Sequence, residues 1–362
     1  MNKKARVIAY YLPQFHSTPD NDKWWGKGFT EWTNVGKAKS LYWGHYQPRI
    51  PADLGYYDLR LSSVREAQTE LAKEAGIEGF CYYHYWFGGG KQELELPFNE
   101  VLSTGKPDFP FCLCWANESW HSKFWNKDGS YSSKCLIEQK YETKEENEKH
   151  FYALLPAFKD KRYLRVDNKP LFVIYRPLHF EKLSELIEQW NQLAQANGLK
   201  GIHFVGRCIN PIEITDVFKL GVDSVNIDRL QISVKSLNPF YYAFCLLRHF
   251  AFNSPFVYSY SKMVEHLIGK EATQLYVYPT IYPNWDHSPR SGNNALVFHG
   301  ATPELFGKLI DDMLRITKDK PVESNIVFLK SWNEWGEGNY MEPDLKFGKG
   351  YINVLGERLF MK

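Results

Sequence analysis

The chain has 362 residues and a formal net charge of +2, long enough to bury a large core and too evenly charged to imply a nucleic-acid or other polyanionic partner. A nucleic-acid binder would carry a basic stripe, whereas only short mixed runs such as "KDKRYLR" occur. Aromatic residues reach 16%, with 12 Trp and 23 Tyr, many of them beside polar residues in loop-like segments. They read either as a tyrosine-rich core or as ring faces that stack on the C–H faces of a sugar ligand.

Short apolar runs alternate with helical patterns along the chain. "RVIAYYL" (Arg6 to Leu12) predicts a first strand. A helix with Leu and Ala at helical spacing runs from Asp58 to a glycine C-cap signal at Gly76. "IEGFCYYHYW" (Ile77 to Trp86) predicts strand two and "FPFCLCWANESW" (Phe109 to Trp120) strand three. A charged helix follows, then strand four (Lys169 to Pro177), an amphipathic helix closed by Gly198, strand five (Ile202 to Cys208) and strand six (Val222 to Asp228). The stretch from Ser236 to Lys262 is rich in aromatics and poor in acids. It reads either as an inserted helix and lid packed on the rest or as a surface for a lipid-linked glycan or membrane interface. Its Arg248 and Lys262, with nearby Lys235, are too few to make an electrostatic case alone. Strand seven (Leu275 to Pro283), a helix with Thr302 as N-cap and Pro303 at N1, and strand eight (Asn325 to Trp335) complete the series.

Eight alternations of strand and helix, with strands apolar on both faces, predict an α/β fold. The expected architecture is a single (β/α)8 TIM barrel over residues 1–362, with the aromatic-rich insertion after strand six. A doubly wound sheet would show a glycine-rich first turn, which "YYLPQF" lacks. Four of the six cysteines sit in or at the end of strand-like runs, as buried thiols would, and no Cys/His set has zinc spacing. Neither a metal nor another cofactor is expected. The opening "MNKKARVIAYYLPQF" has too short an apolar run, broken by Pro13, for a signal peptide, so a cytoplasmic protein is expected.

In such a barrel the C-terminal strand ends share one face, where active sites lie. His16 follows strand one; His84, Tyr85 and Trp86 end strand two; Trp115, Asn117, Glu118 and Trp120 follow in strand three. Arg176, Arg207 and Asp228 end strands four to six, and Asn284, Trp285, Asp286 and His287 follow strand seven. "FLKSWNEWGEGNYMEP" then places Glu334 and Glu337 beside Trp332, Asn333 and Trp335 after strand eight. Glycosidic cleavage uses one protonated and one ionised carboxyl, and indole surroundings raise a carboxyl's pKa while polar ones keep its partner charged. Residues three apart in a tight turn bring two carboxyls within about 5 to 6 Å, the retaining range. The alternative is a solvated loop with two surface glutamates.

Around this pair, Trp115, Asn117, Glu118 and Trp120 are candidates to bind or stack on sugar, and Tyr82, His84 and Tyr85 to wall it, although alternation along a strand must turn one or two of these three to the helices. Glu31 in "GFTEW" either closes the first loop over the sugar or staples it. Asn284, Trp285 and Arg290 are candidates to contact an anionic or distal group, with a surface salt bridge the alternative for the arginine.

The stretches "AYYLPQFH", "WWGKGFTEWTNV", "HYQPRIPADLGYYDL", "GIEGFCYYHYWF", "PFCLCWANESW" and "SWNEWGEGNYMEP", from residue 7 to about residue 343, resemble the WbsX family of bacterial polysaccharide-biosynthesis proteins, related to the family 99 glycoside hydrolases, the endo-α-mannosidases. The resemblance implies a (β/α)8 barrel and retaining, metal-independent chemistry. By it, Glu334 deprotonates the sugar's own 2-hydroxyl, which attacks the anomeric carbon to give a 1,2-anhydro sugar. Glu337 protonates the leaving oxygen and then activates water or an acceptor. An α-mannoside-like substrate is implied. The chain departs at Gly336, where the hydrolases carry a bulkier residue.

Three functions compete. One is a retaining hydrolase or transglycosylase acting on surface polysaccharide or its precursor. Another is a glycosyltransferase of O-antigen or capsular polysaccharide using an activated donor, for which Asp20 and Asp22 in "DND" are a weak metal–diphosphate match. The third is a non-catalytic sugar-binding module. All three take a glycan partner, with membrane contact expected only through a lipid-linked glycan.

Overall fold

The computed structural model describes residues 3–125, 131–141 and 143–360. Eight strands form the frame: β1 (Arg6–Tyr11), β2 (Gly79–Trp86), β3 (Phe111–Trp115), β4 (Lys169–Ile174), β5 (His203–Cys208), β6 (Ser224–Ile227), β7 (Val277–Ile281) and β8 (Ile326–Leu329). Each pairs in parallel with the next. Pairing of β1 with β8, Ile8 opposite Phe328, closes the ring, so the (β/α)8 barrel is formed. All eight predicted strands are present. The third is shorter than predicted, because the chain after Trp115 turns into an antiparallel hairpin, Trp120–Trp125 against Tyr131–Ile137.

Burial on both faces explains the strand composition. In β4 and β8 nearly every residue is buried, one face against the barrel interior and the other against helices such as Leu183–Ala196, whose Trp190 is fully enclosed. Gly79 permits the closest strand approach: a Cβ there would stand 2.5 Å from the Pro110 carbonyl oxygen. Inside the barrel, Tyr10 stacks between Tyr83 and Phe328, and its hydroxyl donates to Asn226 (2.9 Å). This ring stack is the floor of the C-terminal face.

Thr302 caps the helix Pro303–Ile316 by accepting from the Leu305 amide, as its sequence predicts. The insertion after β6 contains a helix, Pro239–Phe252, and a short strand, Phe256–Ser259, paired in parallel with Leu296–His299 outside the barrel ring. All six cysteines are free thiols, five buried and Cys135 exposed. Among the described residues no helix is long and apolar enough to cross a membrane.

Candidate active site

The segment after β8 is built to hold two carboxyls. The Trp332 amide donates to the Tyr10 carbonyl (2.7 Å), extending the β1–β8 ladder. Asn333 and Glu334 pair antiparallel with Asn339 and Tyr340, and a single 3-10 turn, Trp335–Glu337, bridges them with Gly338 at φ 56°. The Ser331 hydroxyl accepts from the Asn333 and Glu334 amides. Glu334 thus ends a strand, Glu337 ends a turn, and both side chains line a cavity of about 410 Å³ at the C-terminal face.

Arg290 organises that cavity. Its guanidinium reaches Glu337 Oε1 at 2.7 Å, Glu31 Oε1 at 2.9 Å and Glu334 Oε1 at 3.4 Å. Burial pushes the Glu334 carboxyl up to about 8, aided by the neighbouring Glu337 charge. Burial opposes ionisation of Glu337 too, but the Arg290 charge, with His287 and Lys330, more than offsets it and holds this carboxyl below its ordinary value. Arg290 Nη1 lies within reach of both Glu337 Oε1 and Glu334 Oε1, so the two carboxyls share one guanidinium. The surroundings thus favour the protonated form of Glu334 and the charged form of Glu337. The family resemblance places the acid on Glu337 instead.

Gly336 has a physical reason here. A Cβ at this position would lie 1.7 Å from Glu31 Oε1 and 3.0 Å from Arg290 Nε. Glycine leaves room for the Glu31–Arg290 contact directly behind the carboxyl pair. Gly336→Ala should displace Glu31, destabilise the fold by about 1–3 kcal/mol and lower activity. Calorimetric unfolding of the variant checks it, and an unchanged Tm would remove this role from Gly336.

The walls come from strand ends. Tyr83 and Tyr85 of β2, Tyr175 and Arg176 after β4, Arg207 of β5 and Trp285 after β7 line the cavity, with Glu118 and Trp120 at one side. Asp228 accepts from both Arg207 (2.5 Å) and Lys330 (2.9 Å), and from the Tyr282 hydroxyl, so its carboxyl is held far below its ordinary value despite burial. Of the sequence candidates, Glu334, Glu337, Tyr85, Glu118, Trp120 and Trp285 therefore meet in one cavity, together with Arg176, Arg207, Asp228, His287 and Arg290.

The others do not reach it. His84 lies on the outer face of β2: its Nε2 meets His150 Nε2 at 2.8 Å, and burial pushes its pKa down to about 3. Strand alternation gives the wall to its neighbours Tyr83 and Tyr85. Trp115 also faces outward, its indole packed on His150 and Phe180 and donating to the Trp86 carbonyl. Asn117 is a brace, accepting from the Arg176 amide (2.7 Å) and donating to the Arg176 carbonyl and the Tyr141 hydroxyl. Asn284 borders a smaller, separate cavity and accepts from the Trp285 amide. Trp332 packs on Phe80 in the core, and Trp335 stacks on Tyr340 while donating to Glu342 (2.6 Å). Asn333 clamps the Leu12 amide and carbonyl. Glu31 sits behind the wall and acts through Arg290.

Tyr83, Tyr175 and Lys330 escape the sequence candidates. Strand parity with Tyr85 would have found Tyr83, and a lysine directly after the apolar run of β8 would have found Lys330. Glu342 is a further buried carboxyl, receiving bonds from Tyr57, Gln68 and Trp335 and pushed up to about 7 by burial. Asp20 is ion-paired to Lys91 (2.6 Å), and Asp22 accepts from the Gly28 amide; neither lines the cavity. Among the described residues no group of three or more His, Cys, Asp or Glu is arranged to hold a metal ion.

A (β/α)8 barrel with a carboxyl pair in a ring-walled cavity at its C-terminal face is the class that fold and geometry define. Residues 7–355 match the family described as Glycosyltransferase WbsX, and the chain belongs to that family. It is 32% identical over 360 residues to the protein WxcX of Xanthomonas campestris pv. campestris, covering 98% of this chain and 50% of WxcX. The chain thus spans about half the length of the curated relatives it matches. Similar solved folds include a glycoside hydrolase-like protein (TM-score 0.62, 16% identity, 100% of this chain and 95% of that one). Another is the GH99 endo-alpha-mannosidase from Bacteroides thetaiotaomicron (TM-score 0.57, 14% identity, 99% and 97%).

Proposed function

We propose that this chain is a carbohydrate-active enzyme that acts on α-mannoside-like bonds of bacterial polysaccharide or its precursor, with Glu334 and Glu337 as its acid–base pair. The observation that carries the reading is two carboxyls on one guanidinium inside an aromatic-walled cavity, with burial pushing Glu334 up and Arg290 holding Glu337 down. A pair in that state supplies one acid and one base at the same pH.

In the proposed step Glu334 takes the proton of the sugar's 2-hydroxyl as that oxygen attacks the anomeric carbon. The glycosidic bond breaks, and Glu337 protonates the departing oxygen. Water or an acceptor hydroxyl then gives its proton to Glu337 and opens the 1,2-anhydro ring, and Glu334 returns a proton to the 2-oxygen. The proton must sit on Glu337 at the first step. Arg290 is shared by both carboxyls, so a sugar hydroxyl that donates to Glu334 while drawing Arg290 away from Glu337 would favour the proton on Glu337. Tyr83, Tyr85 and Trp120 offer faces for the sugar ring.

The test is to supply α-mannoside oligosaccharides and follow the first-formed anomer by NMR across pH. The expected product keeps the α configuration. The rate should fall as pH rises through about 8, where Glu334 loses its proton. Inverted product, or cleavage that persists undiminished well above that pH, would defeat the proposal. Transfer from an activated donor is the second reading, favoured by the family's description and by Arg207 and Lys330 in the cavity. It predicts product only when a nucleotide- or lipid-linked sugar is present.

A further inference from the structure

The helix Pro239–Phe252 packs only one of its faces. Cys245 and His249 are buried, Tyr242 stacks on Tyr258, and Arg248 donates to the Val257 carbonyl, so this side rests on the strand Phe256–Ser259. The opposite side is bare. Phe240, Phe244, Leu247 and Phe250, at i, i+4, i+7 and i+10, are between 61% and 86% exposed, and Phe252 at the helix end is 77% exposed. Large apolar side chains grouped this way on a surface mark a place of attachment. On a neighbouring loop Trp43 is 99% exposed; its chain neighbour Tyr42 contacts His299 of the strand paired to Phe256–Ser259.

Charge selects the occupant. Between Asp228 and Glu265 the chain has no acidic residue, while it carries Arg229, Lys235, Arg248 and Lys262. Arg229 is held by Glu271 and Arg248 turns to the packed side, which leaves Lys235 and Lys262 beside the apolar stripe with no acidic residue of this stretch among them. Fourteen residues span about 21 Å, too short to cross a bilayer and well suited to lie in its plane. Phe and Trp on one side with basic residues at the rim are the composition of an interfacial helix.

We infer that the Pro239–Phe252 helix docks this protein onto an anionic lipid bilayer surface, its phenylalanines inserted among the headgroups and acyl chains. The helix Leu230–Lys235 leads directly into it, and Leu230 and Gln231 line the carboxyl-pair cavity. Docking therefore holds that cavity beside the membrane, where a glycan carried on a lipid would be presented. Membrane binding is measured without turnover, so this inference and the catalytic proposal fail independently.

The experiment is co-sedimentation of the full chain with phosphatidylcholine vesicles, with and without phosphatidylglycerol. The wild type should pellet with the anionic vesicles, and the double variant Phe244→Asp, Leu247→Asp should bind about tenfold or more weakly. Both positions are exposed, so the variant should retain its circular dichroism spectrum and Tm. Lys235→Glu, which leaves the apolar stripe intact, should weaken binding to the anionic vesicles more than to the neutral ones. Wild type that ignores vesicles, or a folded double variant that binds as tightly as wild type, would overturn the inference. So would a wild-type dimer that the double variant dissolves while neither protein pellets with vesicles, since the stripe would then be a contact between copies.

Discussion

Glu337→Gln should cut turnover of a cleavable glycan by about 10²- to 10⁴-fold while glycan binding persists. The substitution keeps the shape of a side chain that is only 14% exposed, so the cavity retains its walls. It removes the negative charge that pairs with Arg290 at 2.7 Å and the proton that a carboxyl could give to a leaving oxygen. It also withdraws the negative neighbour that helps burial keep Glu334 protonated, so the Glu334 carboxyl should move down toward its ordinary value. The alkaline limb of any residual activity should shift the same way. Isothermal calorimetry with a non-cleaved α-mannoside separates binding from chemistry. Loss of both together would point to a collapsed cavity, and loss of neither would take Glu337 out of the reaction.

Arg290→Ala should be the most damaging single change to stability. Three carboxyl groups converge on this guanidinium. Without it Glu31, only 2% exposed, loses its guanidinium partner and keeps the Asn34 amide, while Glu334 and Glu337 lose the cation they share. Removing one partner from a buried charge cluster costs about 3–5 kcal/mol, because what remains is uncompensated buried charge. Activity should fall as well, since Glu337 would lose the cation that keeps it ionised. The double variant Arg290→Ala, Glu31→Gln should recover part of the stability and little of the activity. Equal thermal unfolding of Arg290→Ala and wild type would show that the cluster is solvated and that Arg290 does not clamp it.

The frame of the molecule can be read from its residues because parallel strands buried on both faces leave a strong imprint. "KPLFVIYRP" and "NIVFLK" have no other sensible reading, and closure follows from their number. The carboxyl pair is readable for a similar reason: two glutamates three apart at a strand end share a turn. The walls are less readable. Whether Tyr83 or His84 faces the cavity depends on a one-residue phase that an unbroken aromatic run such as "FCYYHYW" does not mark. Polar residues after strands also do two jobs that look alike on paper. Asn117 and Asn333 spend their amides tying loops together, whereas Glu118 and Trp285 face the cavity. Arg290 is the hardest case, because its partners lie 259, 44 and 47 positions away.

Asn333 grips both the amide and the carbonyl of Leu12, one residue beyond the end of the first strand, from the position beside Glu334. The seam that shuts the cylinder and the turn that seats the carboxyl pair are therefore one joint. A growing polypeptide has its opening strand long before the stretch that must lie next to it, and loop closure over that span is slow. Until β8 and the turn after it are made, neither the closed ring nor the carboxyl pair exists. Occupancy of the cavity by a tight inhibitor would then report completion of the cylinder itself, and refolding followed through such a probe should track β1–β8 pairing rather than collapse.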